Sequence, residues 1–590
     1  MNDNILKDEA IPRLERYFLW SFWCVFALFL FSYAIRPIYD PDFWWHLKSG
    51  ETMVRNGGLL QFDPFTFTGD GVVSAREALI LKGYWLWQIT AYGLYTLLGF
   101  NGIFLLNFFT VAMMAGVVIV QMRRQRLNHA VMVLLLTLGF YLLSAVYALE
   151  RPQVVSFLMA AILLLLLDRL RDGGQLGWPL PLLMMVWANL HGGFVVGDLI
   201  LLCFAVGAVL EYRHDFQRLR HILFWIALAL IASLVNPNGA LVFGELFNFH
   251  NSELMAGVTE YQSTWVRFQG GSRAMMVLWL LIFLYAVGGG ISRRLYWPEL
   301  IVALFLAFFS MKYARNIGFF AVAMLPAIGF SWQQGLSRWQ GKFLPLLSLM
   351  VSAGCLVFLL GFPYSSWQER QSSGPVKAIY PENAIDFLHK SGLQGKMFNS
   401  YEYGGYLLWR LAPKIKVFID GRGMETRVFD DWEKISAASA VRVDGRREYE
   451  GLLDYYAIDY IIQPIYDNSG RVQPLMKEIL NKPEWSPIYL DTYVYIFARL
   501  NPKNAETVST YRIDKNEFKT RLLLIYNYVS QSDPQQVGYQ VARAGMLIYL
   551  SMYDEAQAQV AAIANTHPTE KFLPELQRDL ALLQGRKLRQ

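Results

Sequence analysis

A polytopic α-helical membrane protein with a C-terminal soluble α/β domain and a terminal helical segment is the fold class this sequence predicts. Three observations predict it. Of 590 residues, 54% are hydrophobic and only 17% charged, too apolar for an ordinary soluble chain. Apolar runs recur between residues 17 and 361, many of them close to the roughly 20 residues that cross a bilayer. Residues 362–590 lose that pattern and read as soluble. The net charge of +6 is small for this length and gives no footprint for nucleic acid. Cys24, Cys203 and Cys355 all lie in apolar runs, so no disulfide framework or metal knuckle follows.

The first run, Tyr17 to Ile35, is too long for a signal-peptide core and lacks a small-residue cleavage site, so it reads as a retained anchor. Further candidate spans are 102–121, 130–148, 154–168, 176–193, 195–212, 220–236, 274–291, 297–311, 317–334 and 343–361, about eleven in all. Alternate loops are basic: Arg123, Arg124 and Arg126; Arg169 and Arg171; Arg213, Arg218 and Arg220; Arg293 and Arg294; Arg338 and Lys342. The positive-inside rule puts these loops and the N-terminus in the cytoplasm. An odd count then puts the C-terminal domain outside, in the periplasm if the cell is Gram-negative. Ala78 to Phe100 is ambiguous. Counted as a span it would put Arg123 to Arg126 outside, so it is assigned as an amphipathic helix on the membrane within a large first external loop, 36–101.

That loop opens with IYDPDFWWHLKSGE, residues 38–51. Tryptophans favour the bilayer–water interface, and carboxylates at that depth are costly unless something uses them. On the same predicted face lie Asp40, Asp42, His46, Lys48, Asp63 and Glu77 of the first loop; Glu150 and Arg151 in LERPQ; Asn189 and His191 in WANLHGG; Asn236 and Asn238 in VNPNG; and Lys312, Arg315 and Asn316 in MKYARN. Cations beside carboxylates at a membrane surface suit a phosphate-bearing substrate and a carboxylate base.

Each residue also has a structural reading. Asp40 before Pro41 has the pattern of a helix N-cap followed by proline at the first helical position. Asp42 is then not needed as the cap and is the better catalytic candidate, against a role in the helix dipole. Trp44 and Trp45 serve as interface anchors or as sugar platforms. His46 is structural or functional. Glu150 and Arg151 pair with each other or contact substrate. His191 is a helix-end polar group or a ligand-binding one, and Lys312 and Arg315 are flanking charges or phosphate contacts. Their joint position argues for function more than any one of them does.

At these residues the chain resembles the GT-C superfamily of polyprenyl-phosphate-sugar-dependent glycosyltransferases, and within it bacterial membrane proteins with a DPDxWWHLxxG first loop. The pieces that carry the resemblance are DPDFWWHLKSGE (40–51), DPFTFT (63–68), ERPQ (150–153), WANLHGGFVVG (187–197), KYARN (312–316) and NSYEYGGYLLW with KVFIDGR (399–422). The resemblance spans roughly residues 15–500. It implies a lipid-linked sugar donor, an inverting displacement at the anomeric carbon, and a first-loop carboxylate as base. Asp42 matches that role best and Asp40 second. It implies substrate-binding roles for His46, Trp44, Trp45, Glu150, Arg151, Asn189, His191, Lys312, Arg315 and Asn316, with Lys312 and Arg315 at the donor phosphate. Some members need a divalent metal such as Mg or Mn, for which Asp40, Asp42 and Glu150 offer hard oxygen ligands. Gly404-Gly405 is too short for a phosphate-cradling loop.

Residues 362–504 alternate helical and strand patterns, which suggests a small α/β domain. KMFNSY, KVFIDG, YIIQPI and YVYIFARL are strand-like. Asp420 and Arg422 in IDGR bind a ligand at a strand end or form a structural pair in a turn. Residues 505–590 are polar and helical; 537–568 have the pattern of one tetratricopeptide-type hairpin, which would cap the α/β domain or bind a protein partner. The basic end, Arg586 to Arg589, reads as a solvated tail.

The leading expectation is a membrane glycosyltransferase acting from a polyprenyl-phosphate carrier on a glycan, lipid or protein acceptor at the outer face of a bacterial inner membrane, with membrane lipids as its other partners. The alternatives are an oligosaccharide transferase or polymerase of envelope polysaccharide, and a non-catalytic scaffold that binds lipid-linked glycan. A large first loop and the lack of charges at mid-span argue against a transporter.

Overall fold

The computed structural model describes residues 2–590 except 70–73, 175–176, 245–258, 293–295, 337–343, 368–379, 424, 444, 467–471, 533–536, 569 and 588–590. The chain forms two compact units. One comprises Met1–Phe62 and Val73–Pro375, the other Asp63–Val72 and Val376–Gln590. The sequence places the boundary at 361/362. The tip of the first loop belongs to the second unit, which hydropathy alone does not reveal.

The first unit is helical. Its first ten helices are α1 (Asn2–Ala34), α2 (Asp42–Asn56), α3 (Ala75–Lys82), α4 (Trp85–Leu98), α5 (Phe100–Arg124), α6 (His129–Val146), α7 (Gln153–Arg171), α8 (Pro179–Leu190), α9 (Phe194–Glu211) and α10 (Phe216–Ala232). Then come Thr264–Gln269, Met275–Ser292, Trp297–Lys312, Ile317–Ala323, Leu325–Leu336 and Leu344–Trp367. Among the described residues, six helices are long and apolar enough to cross a membrane. A seventh span results if Ala314–Ala323 and Leu325–Gln334, bent by 47°, are counted as one. Several of the eleven expected spans are shorter: α8 has 12 residues, about 18 Å at 1.5 Å per residue. Large apolar side chains stand exposed on the outer helix surfaces, among them Trp20, Phe109, Phe224, Phe283 and Phe308. A water-soluble protein rarely tolerates so much exposed apolar surface; the unit is a multi-pass membrane protein. In three of its apolar helices the charges lie toward the ends: Asp168 and Arg171 in the last turns of α7, Glu299 in the first turn of Trp297–Lys312, and Asp198 in the second turn of α9.

Different groups meet at the two ends of the bundle. At one, the ends of α5, α7 and α10 meet: Arg124 lies 3.8 Å from Asp172, and Arg218 donates to the Arg171 carbonyl. Arg293, Arg294, Arg338 and Lys342 lie outside the described residues. At the other end, α2 packs on α4, the chain entering α2 reaches Glu150 through the Tyr39 and Asp40 N–H groups, and Trp85 of α4 reaches Asn189 at the end of α8. The expected helix 78–100 is two helices, α3 and α4. Ser74 caps α3 by accepting from the Glu77 N–H at 3.1 Å, and α3 stops at Gly83. Helix α2 lies against α4 at Gly50, where a Cβ would sit 2.2 Å from the Gln88 carbonyl oxygen. Only glycine permits that approach.

The second unit is built on a four-stranded sheet of order β1–β4–β6–β5, with β1 Lys396–Asn399, β4 Ile458–Pro464, β5 Trp485–Leu490 and β6 Val494–Arg499. β1 runs parallel to β4, and the other two pairs are antiparallel. A short β2–β3 hairpin (Arg442–Val443, Arg446–Arg447) stands apart from it. Strand β5 (WSPIYL) escaped the sequence reading, whereas KVFIDG is not a sheet strand. Val417 makes an isolated parallel bridge to Thr66; Phe67 N–H donates to the Val417 carbonyl at 3.3 Å, and Val417 N–H to the Phe65 carbonyl at 3.0 Å. The Asn399 side chain holds the other side of this segment, accepting from Phe418 N–H at 2.7 Å and donating to the Ile419 carbonyl at 2.8 Å. Helices Val537–Tyr549, Tyr553–Thr566 and Leu573–Lys587 pack through Val541, Ala544, Val560, Ile563, Leu573 and Leu576. Of the basic tail, residues 588–590 lie outside the described residues.

Candidate active site

The end of the first unit that carries the α1–α2 connection is organised around Arg151. Its Nε donates to Asp40 Oδ2, its Nη2 lies 3.2 Å from Asp42 Oδ2, and its Nη1 lies 2.5 Å from Glu260 Oε1. A guanidinium suits this, with five donors fanned in one plane. The four residues come from the α1–α2 connection, the start of α2, the turn before α7 and a 3₁₀ turn (Thr259–Tyr261). Sequence placed the first three together but missed Glu260, which no span boundary or motif marks.

The carboxylates are not equivalent. Asp40 Oδ1 accepts the Asp42 N–H at 2.9 Å, capping α2, while Oδ2 takes Arg151. Both Asp40 oxygens are therefore committed. Glu150 Oε1 accepts the N–H groups of Tyr39 at 3.1 Å and Asp40 at 3.4 Å, fixing the chain where it leaves α1. Glu150 and Arg151 do not pair with each other; the glutamate serves the backbone. Burial, reinforced by the Asp40 charge, pushes the Glu150 carboxyl up to about 7. Asp42 keeps a quarter of its side chain exposed. Burial raises its pKa, Arg151 opposes, and Asp40 and Glu260 add to the rise. Asp42 is a partly accessible carboxylate with a proton affinity shifted toward neutrality, the property a general base needs.

Aromatic and histidine side chains form the next layer. Trp44 is buried against Phe43 and Phe100, a packing residue rather than a surface anchor or platform. Trp45 stacks on His46 at 3.5 Å between ring centroids. His46 is buried, and its Nδ1 accepts from Gln88 Nε2 at 3.0 Å. Tyr84, which the sequence reading did not single out, touches the rings of Trp45, His46 and His191 at 5.8, 5.0 and 5.5 Å. His191 ends α8, and its Nδ1 accepts from Ser156 Oγ at 2.7 Å and Gly193 N–H at 2.9 Å. Trp187 Nε1 donates to Ser156 Oγ at 2.8 Å.

Arg315 donates to the Tyr261 hydroxyl and lies over its ring at 4.6 Å. Gln153 Nε2 donates to the Arg315 carbonyl at 2.5 Å, tying this turn to the start of α7. Lys312 is exposed, over the rings of Tyr313 and Phe308 at 5.1 and 5.9 Å. Asn316 is buried and its carbonyl accepts from Ser310. Asn189 is a splice between helices: its Oδ1 accepts from Trp85 Nε1 at 2.9 Å, and its Nδ2 donates to the carbonyls of Met185 and Val235 at 2.8 and 2.7 Å. Lys48 pairs with Glu51 at 2.9 Å. Asp63 belongs to the second unit, where it meets Arg422.

A metal held by Asp40, Asp42 and Glu150 does not fit this arrangement. Asp40 is spent on Arg151 and the helix cap, and Glu150 Oε1 on two backbone N–H groups. Among the described residues no three His, Cys, Asp or Glu side chains gather as ligands.

No family model matches the sequence, and no curated protein matches it. Solved structures that resemble the chain include two of low identity. One is the crystal structure of an oligosaccharyltransferase from Archaeoglobus fulgidus in complex with Zn and sulfate. It has a TM-score of 0.47 and 11% identity, and the match covers 92% of this chain and 86% of that one. The other is the cryo-EM structure of the arabinofuranosyltransferase AftD from Mycobacteria. It has a TM-score of 0.47 and 16% identity over 83% of this chain, which spans only 40% of that one.

Proposed function

We propose that this protein is an integral membrane glycosyltransferase that moves a sugar from a polyprenyl-phosphate carrier to a hydroxyl-bearing envelope acceptor. One observation carries the reading. Asp42 is partly exposed beside Arg151, its pKa is raised, and it stands at the start of a helix that also supplies Trp45 and His46. The sequence resemblance of the first loop supports it.

In the proposed reaction the acceptor oxygen attacks the anomeric carbon while the bond from that carbon to the phosphate oxygen breaks. Asp42 takes the acceptor proton, and the lipid phosphate leaves with the bond electrons. Arg151 holds Asp42 in place, and three carboxylates share its charge, so Asp42 keeps enough basicity to act. Arg315, with Lys312 nearer the exposed rim, balances the departing phosphate. We further propose the orientation read from loop charges: eleven spans, cytoplasmic N-terminus, and an external C-terminal domain whose tetratricopeptide-like tail meets a protein partner.

The test is transfer of radiolabelled sugar from a mixed pool of polyprenyl-phosphate donors in native membranes, comparing wild type and Asp42→Asn at matched protein levels. Incorporation that depends on Asp42 is the expected result. Incorporation indifferent to the substitution removes Asp42 as base. Absence of transfer from every donor favours a scaffold that binds lipid-linked glycan.

A further inference from the structure

The donors around His191 and Tyr84 are unspent. Nδ1 of His191 receives two donors, the Gly193 N–H and the Ser156 hydroxyl. Ser156 is free to donate because its own oxygen accepts from Trp187 Nε1. A ring nitrogen that accepts carries no proton, so the imidazole proton sits on Nε2. Gly193 is required for this arrangement: a Cβ there would lie 2.5 Å from Ser156 Oγ and 2.7 Å from His191 Nδ1. His191 is more than nine-tenths buried, yet its Nε2 has no hydrogen-bond partner among the described residues. Burial and nearby Arg315 hold its pKa down to about 3, so it stays a neutral donor at any physiological pH.

Tyr84 stands next to it, ring to ring. It is half-buried, and its hydroxyl also has no hydrogen-bond partner among the described residues. Arg315 lies near enough to act electrostatically on both residues, and Asp42 and Arg151 also act on Tyr84. His191 Nε2–H and the Arg315 guanidinium only donate, and the Tyr84 hydroxyl can donate beside them, a set complementary to an anionic oxygen.

We infer that Tyr84 O–H, His191 Nε2–H and Arg315 form a pocket for the phosphoryl oxygens of the lipid carrier, with Ser156 and Trp187 as positioning residues that fix the His191 tautomer. This deepens the proposed function and rests on it: Asp42 serves the acceptor, and these three groups serve the phosphate.

The test is direct binding, without turnover. Full-length protein in detergent is titrated with farnesyl phosphate and, separately, with farnesol, for wild type, Tyr84→Phe, His191→Gln and Asp42→Asn. The gain in affinity from farnesol to farnesyl phosphate is the readout, because a change in packing alone moves both ligands together. The expected result is a phosphate gain in wild type and Asp42→Asn, reduced about tenfold in Tyr84→Phe, with farnesol binding unchanged. His191→Gln should lose less, since its amide can still donate but is not held by Ser156 and Gly193 in the same way. A phosphate gain that survives in full in both Tyr84→Phe and His191→Gln overturns the pocket and leaves the proposed function standing. Absence of any gain in wild type overturns the lipid-phosphate donor itself, and the pocket with it.

Discussion

The second unit's hold on the first-loop tip rests on one buried arginine, and its removal gives a calculable result. Arg422 has a side chain 1% exposed. Its Nε and Nη2 donate to the two oxygens of Asp420 at 2.7 and 2.5 Å, and its Nη1 and Nη2 to those of Asp63 at 2.8 and 3.2 Å. Asp63 also caps its own loop, accepting from Phe65 N–H at 3.1 Å and Thr66 N–H at 3.3 Å. Arg422→Met leaves two buried carboxylates facing each other without a cation. Breaking a buried pair in this way costs about 3–5 kcal/mol, a large part of the roughly 5–15 kcal/mol that holds a domain together. Asp63→Asn removes one charge but keeps an oxygen for the loop N–H groups, so its cost should be smaller and local. The assay is hydrogen exchange of the full-length protein in detergent, read at Phe67 and Val417, whose amides bridge the two segments. Arg422→Met should expose amides throughout 396–499, and Asp63→Asn chiefly those of 65–67 and 417. The pH dependence has a definite sign. Burial alone would raise the Asp63 pKa, but Arg422 and the loop donors outweigh it and hold it below the usual carboxylate range. Protection at Phe67 is therefore complete above about pH 3.9 and is lost as pH falls through the lower folded-state value. Exchange at 65–67 unchanged in Asp63→Asn would refute the reasoning.

Three further outcomes follow from close contacts. Gly50→Ala puts a methyl group into the Gln88 carbonyl, forcing α2 from α4. The thermal midpoint should fall and the Asp42 site lose activity together; retained activity at a lowered midpoint would show that α2 moves without the site. Glu150→Gln keeps the oxygen that accepts from Tyr39 and Asp40 but removes the buried charge. In wild type the stability tied to neutral Glu150 is full below about pH 4.3 and is lost as pH rises through about 7, so the variant's thermal midpoint should stay flatter across that window. Asn399→Ala strands the buried Phe418 N–H and Ile419 carbonyl, at a cost of about 3 kcal/mol, seen as a lower denaturant midpoint for the second unit.

Hydropathy made the helical unit legible because a bilayer demands long apolar runs whatever their order in space. It also brought Asp40, Asp42, Glu150 and Arg151 to one end, since alternating loops fix which helix ends meet. Two kinds of feature escaped it. Glu260 and Tyr84 lie in segments with no span boundary or motif, and only packing brings them to Arg151 and His191. KVFIDG has a strand's composition, but its backbone is claimed by a loop 350 residues upstream through Thr68 and Phe418, and local propensity cannot express so distant a partner. The packing of Trp44 and the splicing by Asn189 are illegible in sequence for a related reason. A residue type suited to an interface or a ligand serves equally well for packing or for splicing helix ends, and burial decides between them.

The same geometry governs how this site can be probed. A helix end leaves backbone N–H groups without partners, and here the carboxylates supply them: Asp40 to Asp42, Glu150 to Tyr39 and Asp40. Each acidic side chain thus belongs at once to the chemistry and to the seam between α1, α2 and α7. Alanine at Asp40 or Glu150 would strand N–H groups and lower activity by loosening the seam, whatever those residues do for substrate. Asparagine and glutamine keep an acceptor oxygen and remove only the charge, which makes them the informative substitutions. Asp42 is the exception. No backbone N–H depends on its carboxylate in the described structure, so Asp42→Asn and Asp42→Ala should abolish transfer equally while leaving the thermal midpoint near wild type. A large gap in stability between those two variants would assign Asp42 to the seam and take the base away from it.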